Sequence, residues 1–383
     1  MERIYLDHAA TSPVHPEVAE LTYDMMKKHF GNASSIHGFG RDSRRILDQS
    51  RIVFAKSINA KTSEITITSG GSESDNTAII ETALSRKEIG KHLITTAVEH
   101  HAVLKPMEYL EELGFEVTYL PVDETGKVDP ADVKAALRKD TILVSIMYAN
   151  NEVGTLMDIG TIGKIIKESD SAAYFHTDAV QAYGSEDIDV KRDHIDLLSV
   201  SAHKINGPKG IGFLYINEDI HLPSLIRGGE QEMKRRAGTE NIPAIAGFKK
   251  AVEIMEADRS ARLSSFEKMR VFLLEQLEKA GVDFELNGSP DQHLEHIISL
   301  WTKGVSAEQL IVSLDLVGIA LSAGSACTAG NIDPSHVLIA MFGSDSPRIA
   351  ETIRISFGLG TTMEQIEILV EELGKAVRRL KKT

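Results

Sequence analysis

Short apolar runs alternate with amphipathic stretches over the first two-thirds of the chain, and this alternation limits the possible folds more than any other feature. The runs at 65–68, 92–96, 117–120, 141–146 and 211–216 have the pattern of strands. Helical periodicity lies between them, for example at 129–138 and 158–168. Strands that alternate with helices are typical of an α/β domain with a largely parallel sheet. Ligands in such folds bind beyond the carboxyl ends of the strands.

The pattern changes after about residue 240. A long helical stretch at 242–280 leads to an apolar run at 296–301, a helix at 306–314 and a terminal helix from Thr362 onward. These elements predict a smaller α+β domain. We therefore expect a large domain over residues 16–258 and a small domain formed by residues 1–15 together with residues 259–383.

Length, charge and composition argue against a membrane and against broad nucleic-acid binding as partners of this chain. The chain has 383 residues, enough for two domains, and no apolar run approaches the length of a membrane span. A formal net charge of −14 argues against broad, non-specific binding of nucleic acid. The first residues lack the layout of a signal peptide, so we expect a cytoplasmic protein without a membrane partner.

The run 201–210 carries the strongest chemical signal. Lys204 follows an apolar run at 195–200 and precedes a turn of glycine and proline. A lysine that leaves a strand end is partly desolvated, which lowers the pKa of its amine and makes it a usable nucleophile. Ser201 and His203 offer hydrogen-bond donors for an anion. This motif alone leaves a second interpretation open, in which Lys204 is simply a solvated lysine at the end of a strand.

Two other segments extend this signal. Asp178 follows an apolar segment at 172–175 and supplies a carboxylate. Residues 67–76 predict a strand, a glycine turn and the start of a helix, where free backbone N–H groups and the hydroxyl of Ser72 can bind an anion. An amine for a Schiff base, a carboxylate for a pyridinium nitrogen and phosphate donors together indicate pyridoxal phosphate.

Polar residues follow or interrupt other strands. His100 comes after a strand, where an imidazole can stack on a ring and carry protons. Metal binding is the rival interpretation, but no second ligand pair has suitable spacing, and we expect no metal. An amide in 150–154 can hold a substrate oxygen or form an Asx turn. Arg354 lies in an apolar strand, where either a substrate carboxylate or an internal salt bridge would satisfy it.

Cys327 is the only cysteine, so the fold cannot depend on an intramolecular disulfide. Its neighbours at 322–330 are small residues typical of a loop, which favours an accessible thiol. A reactive thiol and an incidental loop cysteine both remain open on this evidence.

The chain resembles the NifS/IscS-type cysteine desulfurases, which are pyridoxal-phosphate enzymes of fold-type I in the class V aminotransferase family. The resemblance spans essentially the whole chain. It is carried, in family order, by residues 5–11, 68–76, 99–100, 150–154, 176–179, 201–210, 236–241, 325–328 and 354–356. It implies a large domain with a mainly parallel sheet and a smaller α+β domain that carries the cysteine loop.

The resemblance also implies a role for each candidate residue. The catalytic residues would be Lys204, which binds the cofactor and moves protons, Cys327, the nucleophile on a mobile loop, and His100, which stacks on the cofactor ring. The other cofactor-binding residues would be Gly71, Ser72, Asp178, Gln181, Ser201, His203 and, from the partner subunit of a homodimer, Thr239. Asp178 would pair with the pyridine nitrogen and Gln181 with the phenolic oxygen. Asn151 and Arg354 would hold the substrate carboxylate.

The implied reaction removes sulfur from L-cysteine and gives L-alanine and a persulfide on Cys327. An acceptor protein, either an iron–sulfur scaffold or a tRNA thiolase, would receive the sulfur. Selenocysteine lyase and other class V enzymes are the alternatives, although amino transfer needs no cysteine at this position. The tail is shorter than in the housekeeping branch, and Leu359-Gly360 replaces its usual arginine-phenylalanine, so a member that serves tRNA thiolation fits equally well.

Overall fold

Strands and helices alternate along the chain as the apolar periodicity predicts. A computed structural model describes residues 3–324 and 334–381, together with the backbone of residues 327–328 and 331–332. The strands are β1 (Ile4–Tyr5), β2 (Ile65–Thr68), β3 (His92–Thr96), β4 (Glu116–Leu120), β5 (Thr141–Ser145), β6 (Tyr174–Asp178), β7 (Leu197–Ser201), β8 (Gly212–Ile216), β9 (Phe284–Asn287), β10 (Ile297–Thr302), β11 (Ile319–Ala320), β12 (Cys327–Thr328), β13 (Asn331–Ile332) and β14 (Thr352–Ser356). The helices are α1 (Pro16–Lys28), α2 (Gly38–Lys56), α3 (Gly71–Asn76), α4 (Thr82–Arg86), α5 (His101–Glu112), α6 (Pro130–Ala136), α7 (Ile159–Lys167), α8 (Gln231–Lys234), α9 (Ile242–Lys279), α10 (Ala307–Asp315), α11 (His336–Phe342), α12 (Arg348–Glu351) and α13 (Met363–Leu380).

A seven-stranded sheet lies at the centre of the larger part, with its strands in the order β2-β8-β7-β6-β5-β3-β4. β8 runs antiparallel to both of its neighbours, whereas the other adjacent pairs are parallel. β5 and β7 are buried along their whole length, as strands of a sheet covered on both faces must be. The prediction of an α/β fold with a mainly parallel sheet is confirmed.

A second sheet of three antiparallel strands, β14-β10-β9, lies in the smaller part. Helices α10 and α13 share a separate apolar core with this sheet. β1 pairs in parallel with β11, so the N-terminal segment belongs to this part as well. These elements match the smaller α+β domain that the sequence indicates.

The long helix α9 has 38 residues and contributes to both apolar cores. Its buried residues from Ile242 to Met255 pack with the core of the large sheet. Those from Phe266 to Leu277 pack with the core of the small sheet. The division of the chain at residues 258 and 259 stays a prediction. Within the described part of the chain, no helix has both the length and the apolar character that a membrane span requires.

The carboxyl ends of the parallel strands converge on one edge of the large sheet. β6 ends at Asp178, and β7 leads directly into a 3-10 turn, Ala202–Lys204. The connection after β3 reaches His100, the N-cap of α5, and the connection after β5 reaches Asn151. The topology therefore gathers residues from distant parts of the sequence at the edge where parallel sheets bind ligands.

Candidate active site

A cavity of about 490 Å³ opens at this edge of the sheet. Ten of the predicted site residues line it: Gly71, Ser72, His100, Asn151, Asp178, Gln181, Ser201, His203, Lys204 and Arg354. Thr239 is exposed and does not line the cavity of this single chain. The side chain of Cys327 lies outside the described residues.

Lys204 is held at the floor of the cavity by the N-terminal segment. Its ammonium Nζ donates hydrogen bonds to the carbonyl oxygens of Ala9 and Ala10. Desolvation by the surrounding residues, followed by the charge of Arg354, lowers the pKa of the Lys204 amine to about 8. A substantial fraction of the amine is therefore neutral near physiological pH, and a neutral amine is the nucleophilic form. The N-terminal segment therefore forms part of the cavity beside Lys204.

Two buried carboxyl groups lie on one wall. Asp178 is 6% exposed, and its Oδ1 accepts a hydrogen bond of 2.9 Å from the N–H of Val180. Asp75, on α3, is 1% exposed, and its Oδ1 has no hydrogen-bond partner among the described residues. Burial raises the pKa of both carboxyl groups, and Asp178 raises that of Asp75 further. The two carboxyl groups therefore resist being ionised at the same time. A cation placed beside Asp178 would favour its charged form and weaken the repulsion between them.

A glycine turn shapes the cavity wall next to these carboxyl groups. The backbone of Gly70 has φ of 144°, a conformation that favours glycine. A Cβ on Gly71 would lie 2.8 Å from Cγ2 of Val180, so only glycine leaves this wall open. The N–H groups at the start of α3 lie here with the hydroxyls of Ser72 and Ser201. This donor set matches the chemistry of a phosphate group.

His203 completes that wall. Its Nδ1 lies 3.1 Å from Oγ1 of Thr11. Burial and the neighbouring Lys204 lower the pKa of the His203 imidazole to about 4, so the ring is neutral at physiological pH. A neutral imidazole offers one N–H donor without adding charge beside Lys204.

His100 enters the cavity from the N-cap position of α5. Its Nδ1 accepts a hydrogen bond of 3.0 Å from the N–H of Ala102, which leaves the proton of the neutral ring on Nε2. Burial lowers the pKa of His100, whereas the charge of Asp178 opposes this shift. The imidazole can therefore stack on a ring or donate a proton through Nε2.

Of the two adjacent asparagines, Asn150 forms an Asx turn and Asn151 lines the cavity. Oδ1 of Asn150 accepts hydrogen bonds of 2.8 and 2.9 Å from the N–H groups of Glu152 and Val153, which is the Asx turn. Asn151 lines the cavity instead. The Asx turn thus fixes the backbone next to Asn151, which is the cavity residue.

Arg354, in β14, is 4% exposed and already takes part in an internal salt bridge. Its Nη2 lies 2.8 Å from Oδ1 of Asp7, and its Nη1 donates to the carbonyl oxygen of Asn151 at 2.8 Å. Its buried Nε has no partner among the described atoms. The salt-bridge alternative is therefore present in the structure, and Arg354 also lines the cavity.

Sequence reasoning missed several residues of the cavity. Asp75 lies within the quoted segment 67–76, and Glu152 within the quoted segment 150–154, but neither received a role. His336 also lines the cavity, and its ring lies 4.8 Å from that of His101. Within the part of the chain that the structure describes, no three metal-ligating side chains form a cluster suited to a metal ion.

Comparison with known proteins agrees with this architecture. The family Aminotransferase class-V matches residues 4–369. A Bacillus subtilis protein provisionally named cysteine desulfurase IscS 1 is 54% identical over 99% of this chain and 100% of its own length. Cysteine desulfurase IscS of Dictyoglomus turgidum is 46% identical over 99% of this chain and 95% of its own length. The structure of a NifS-like protein superposes with a TM-score of 0.92, at 33% identity, over 99% of this chain and 100% of that one.

The fold and the match together define a class of enzyme that depends on pyridoxal phosphate. The chain belongs to the class V aminotransferase family, within its NifS/IscS-type cysteine desulfurases. The resemblance, the fold class and the cofactor predicted from the sequence are confirmed. The amine of Lys204, the carboxyl of Asp178 and the open glycine wall fit pyridoxal phosphate in charge and in shape.

Proposed function

We propose that this protein is a cysteine desulfurase that converts L-cysteine to L-alanine and leaves the sulfur as a persulfide on Cys327. The observation that carries the proposal is the Lys204 amine, whose pKa falls to about 8. It lines one cavity with Asp178, His100 and Arg354. The family of this chain supplies the reaction class.

Pyridoxal phosphate, when bound, supplies an electron-withdrawing ring that stabilises negative charge on the substrate carbon. Lys204 would hold the cofactor through its neutral amine and would move protons at the α-carbon of the substrate. The carboxylate of Asp178 would balance a protonated ring nitrogen, and Gln181 would donate from its amide to the phenolic oxygen. Gly71, Ser72, Ser201 and His203, which line the cavity, would hold the phosphate, and His100 would stack on the ring.

Arg354 and Asn151 orient the substrate by its carboxylate. The guanidinium is fixed by Asp7 and by the carbonyl oxygen of Asn151, and its Nε has no partner among the described atoms. A donor held in advance loses little conformational freedom when a carboxylate binds.

In the sulfur step the Cys327 thiolate attacks the sulfur of the substrate. A sulfur–sulfur bond forms and the bond between the sulfur and the β-carbon of the substrate breaks. Its electron pair passes to that β-carbon. A proton delivered to that carbon by Lys204 or His100 completes L-alanine. A second nucleophile can then attack the outer sulfur of the persulfide and take it from Cys327.

The quaternary structure that we propose is a homodimer. Apolar side chains are exposed at the end of α1 and the start of α2: Tyr23, Met26, Phe30, Ile36 and Phe39. A patch of this kind is a candidate for burial against a second copy. Thr239 would reach the phosphate of the partner subunit, in keeping with its position outside this chain's own cavity. Sedimentation analysis that returns twice the chain mass of 42.0 kDa supports the dimer, and a monomer at micromolar concentration contradicts it.

The sulfur acceptor is a protein, and an iron–sulfur scaffold and a tRNA thiolase are the two classes that we propose. The cytoplasm is the compartment that suits this chemistry, because its thiol pools keep Cys327 reduced between turnovers. Transfer of labelled sulfur from the persulfidated protein to a purified acceptor of either class tests this. Retention of the label by Cys327 with both acceptors would contradict it.

The activity itself is tested with L-cysteine and a thiol reductant. We expect L-alanine and sulfide in equal amounts from the holoenzyme, and neither from Cys327→Ala. Selenocysteine that reacts while L-cysteine does not would instead identify a selenocysteine lyase.

A further inference from the structure

One buried carboxyl group lies close to the chain on both sides of the segment that carries Cys327. Glu152 is 5% exposed and lines the cavity. Its Oε2 accepts a hydrogen bond of 2.5 Å from the hydroxyl of Ser335, which follows the segment. The same Oε2 would lie 3.3 Å from a Cβ built on Gly324, which precedes the segment. The Glu152 side chain is therefore hydrogen-bonded to the flank that follows the cysteine segment and leaves no free space for a side chain on the flank that precedes it.

The flank that follows Cys327 is fixed through a helix cap. The hydroxyl oxygen of Ser335 accepts the N–H of Leu338 at 3.0 Å and so caps α11. The same hydroxyl donates its proton to Glu152. A distance of 2.5 Å is typical of a hydroxyl bound to a carboxylate oxygen, a charge-assisted bond stronger than a neutral one. Glu152 thus fixes where α11 begins.

The flank that precedes Cys327 is fixed through the substrate-binding arginine. The N–H of Gly324 donates to Oγ of Ser322 at 3.2 Å, and its carbonyl oxygen accepts from Nη1 of Arg354 at 3.4 Å. Gly324 has φ of +92°, so a side chain there would be strained and would also press on Glu152. Both flanks therefore meet beside the residues that hold the substrate carboxylate.

The local electrostatics suit a carboxyl group that is bonded rather than solvated. Burial raises the pKa of Glu152, while the hydrogen bond from Ser335 and the charges of Arg354 and His101 oppose that shift. A buried carboxyl destabilises a fold unless its oxygens are satisfied. The hydrogen bond from Ser335 satisfies Oε2 of Glu152, and Ser335 lies just after the cysteine segment in the chain.

We propose that Glu152 is a positioning residue that holds both flanks of the Cys327 segment at the cavity, so that the thiol meets the substrate sulfur in a reactive geometry. This role rests on the proposed function. It predicts that loss of Glu152 slows sulfur transfer to Cys327 without weakening the binding of L-cysteine. A displacement of about 1 Å between reacting atoms can slow a reaction about 100-fold.

The test compares single-turnover persulfide formation in the holoenzyme for wild type, Glu152→Ala, Glu152→Gln and Ser335→Ala. Because Cys327 is the only cysteine, added sulfur in the intact mass reports on that residue alone. A spectral titration measures L-cysteine binding separately. We expect Glu152→Ala to form persulfide about 10- to 100-fold more slowly with cysteine affinity within about threefold of wild type. Glutamine keeps an acceptor for Ser335 and should restore most of the rate.

Ser335→Ala keeps the proposal testable if Glu152→Ala fails to fold, because it removes the other partner of the bond and should slow the same step. Glu351→Ala is the matched control: Glu351 accepts hydrogen bonds from Trp301 and Gly304 and does not line the cavity. It should lower the melting temperature and leave the persulfide rate unchanged. Wild-type rates in both Glu152→Ala and Ser335→Ala would overturn the positioning role alone. A wild type without persulfide would overturn the proposed function, and the positioning role with it.

Discussion

Nη2 of Arg354 lies 2.8 Å from Oδ1 of Asp7, a contact between residues 347 positions apart. It ties the N-terminal segment to β14 beside the cavity, close to where that segment accepts hydrogen bonds from Lys204. Asp7 therefore orients the guanidinium without covering every donor, because Nε has no partner among the described atoms. The guanidinium is thereby held in one position at the lining of the cavity.

Replacement of Arg354 by alanine is expected to raise KM for L-cysteine about 100-fold, since hydrogen bonds to charged groups contribute about 1.5–3 kcal/mol each. Steady-state kinetics measure this. Arg348→Ala is the control, because Arg348 bonds to Asn287 and lies outside the cavity lining. An unchanged KM in Arg354→Ala would exclude a carboxylate-binding role.

Replacement of Asp178 by asparagine is expected to lower kcat by about 100-fold or more, because an amide cannot carry the negative charge that balances a protonated ring nitrogen. The variant should still bind pyridoxal phosphate, which its visible absorbance reports. Asp196→Asn is the matched control, since Asp196 is also desolvated and accepts the N–H of Phe175, yet does not line the cavity. Equal loss of kcat in both variants would refute the specific role of Asp178.

The rate at which the cofactor-free protein takes up pyridoxal phosphate is expected to rise with pH. The reactive form of Lys204 is the neutral amine, and its pKa is lowered to about 8. Well below that pH the rate should fall about tenfold per pH unit, and above it the rate should level off. Stopped-flow absorbance measures the profile, with Lys204→Ala as the blank. A profile that continues to rise to pH values of about 10 would show an ordinary lysine pKa.

The stability of the cofactor-free protein should depend on pH through Glu99. Its Oε1 accepts hydrogen bonds from Thr96 and Met147, whereas its Oε2 has no partner among the described atoms. Burial raises the pKa of this carboxyl group from 4.5 to about 8. A raised folded-state pKa contributes stability that is present below the unfolded pKa and is lost as pH rises through the folded value.

Urea denaturation of wild type and Glu99→Gln between pH values of about 5 and 8.5 measures this contribution. The free energy of unfolding of wild type should fall across this range by about 2–4 kcal/mol more than that of the glutamine variant, which cannot titrate. Parallel decreases in the two proteins would mean that Glu99 titrates normally.

Much of this architecture could be predicted because the informative signals are local in sequence. An apolar run that ends in Asp178, or one that leads to Lys204, shows both the strand and its reactive residue within ten positions. Parallel topology then brings the strand ends together by a general rule of α/β folds. The main strands of the large sheet and the fold class followed from that reasoning, and ten residues named from the sequence or from the family resemblance line the cavity.

The residues that escaped prediction depend on contacts between distant positions. Glu152 and Ser335 are 183 positions apart, and only the packed structure joins them. Asp75 looks like any polar residue of a helix start until burial beside Asp178 gives it a raised pKa. Thr239 stays a prediction because its role needs a second chain, and the side chain of Cys327 lies outside the described residues.

The most direct test of the central claim measures L-alanine release and the intact mass of the protein after one turnover with L-cysteine. The account predicts one L-alanine per active site and one added sulfur atom on wild type. Cys327→Ala should retain the absorbance of bound pyridoxal phosphate but gain no sulfur and release no L-alanine. Release of L-alanine by Cys327→Ala at the wild-type rate would contradict the assignment of Cys327 as the nucleophile.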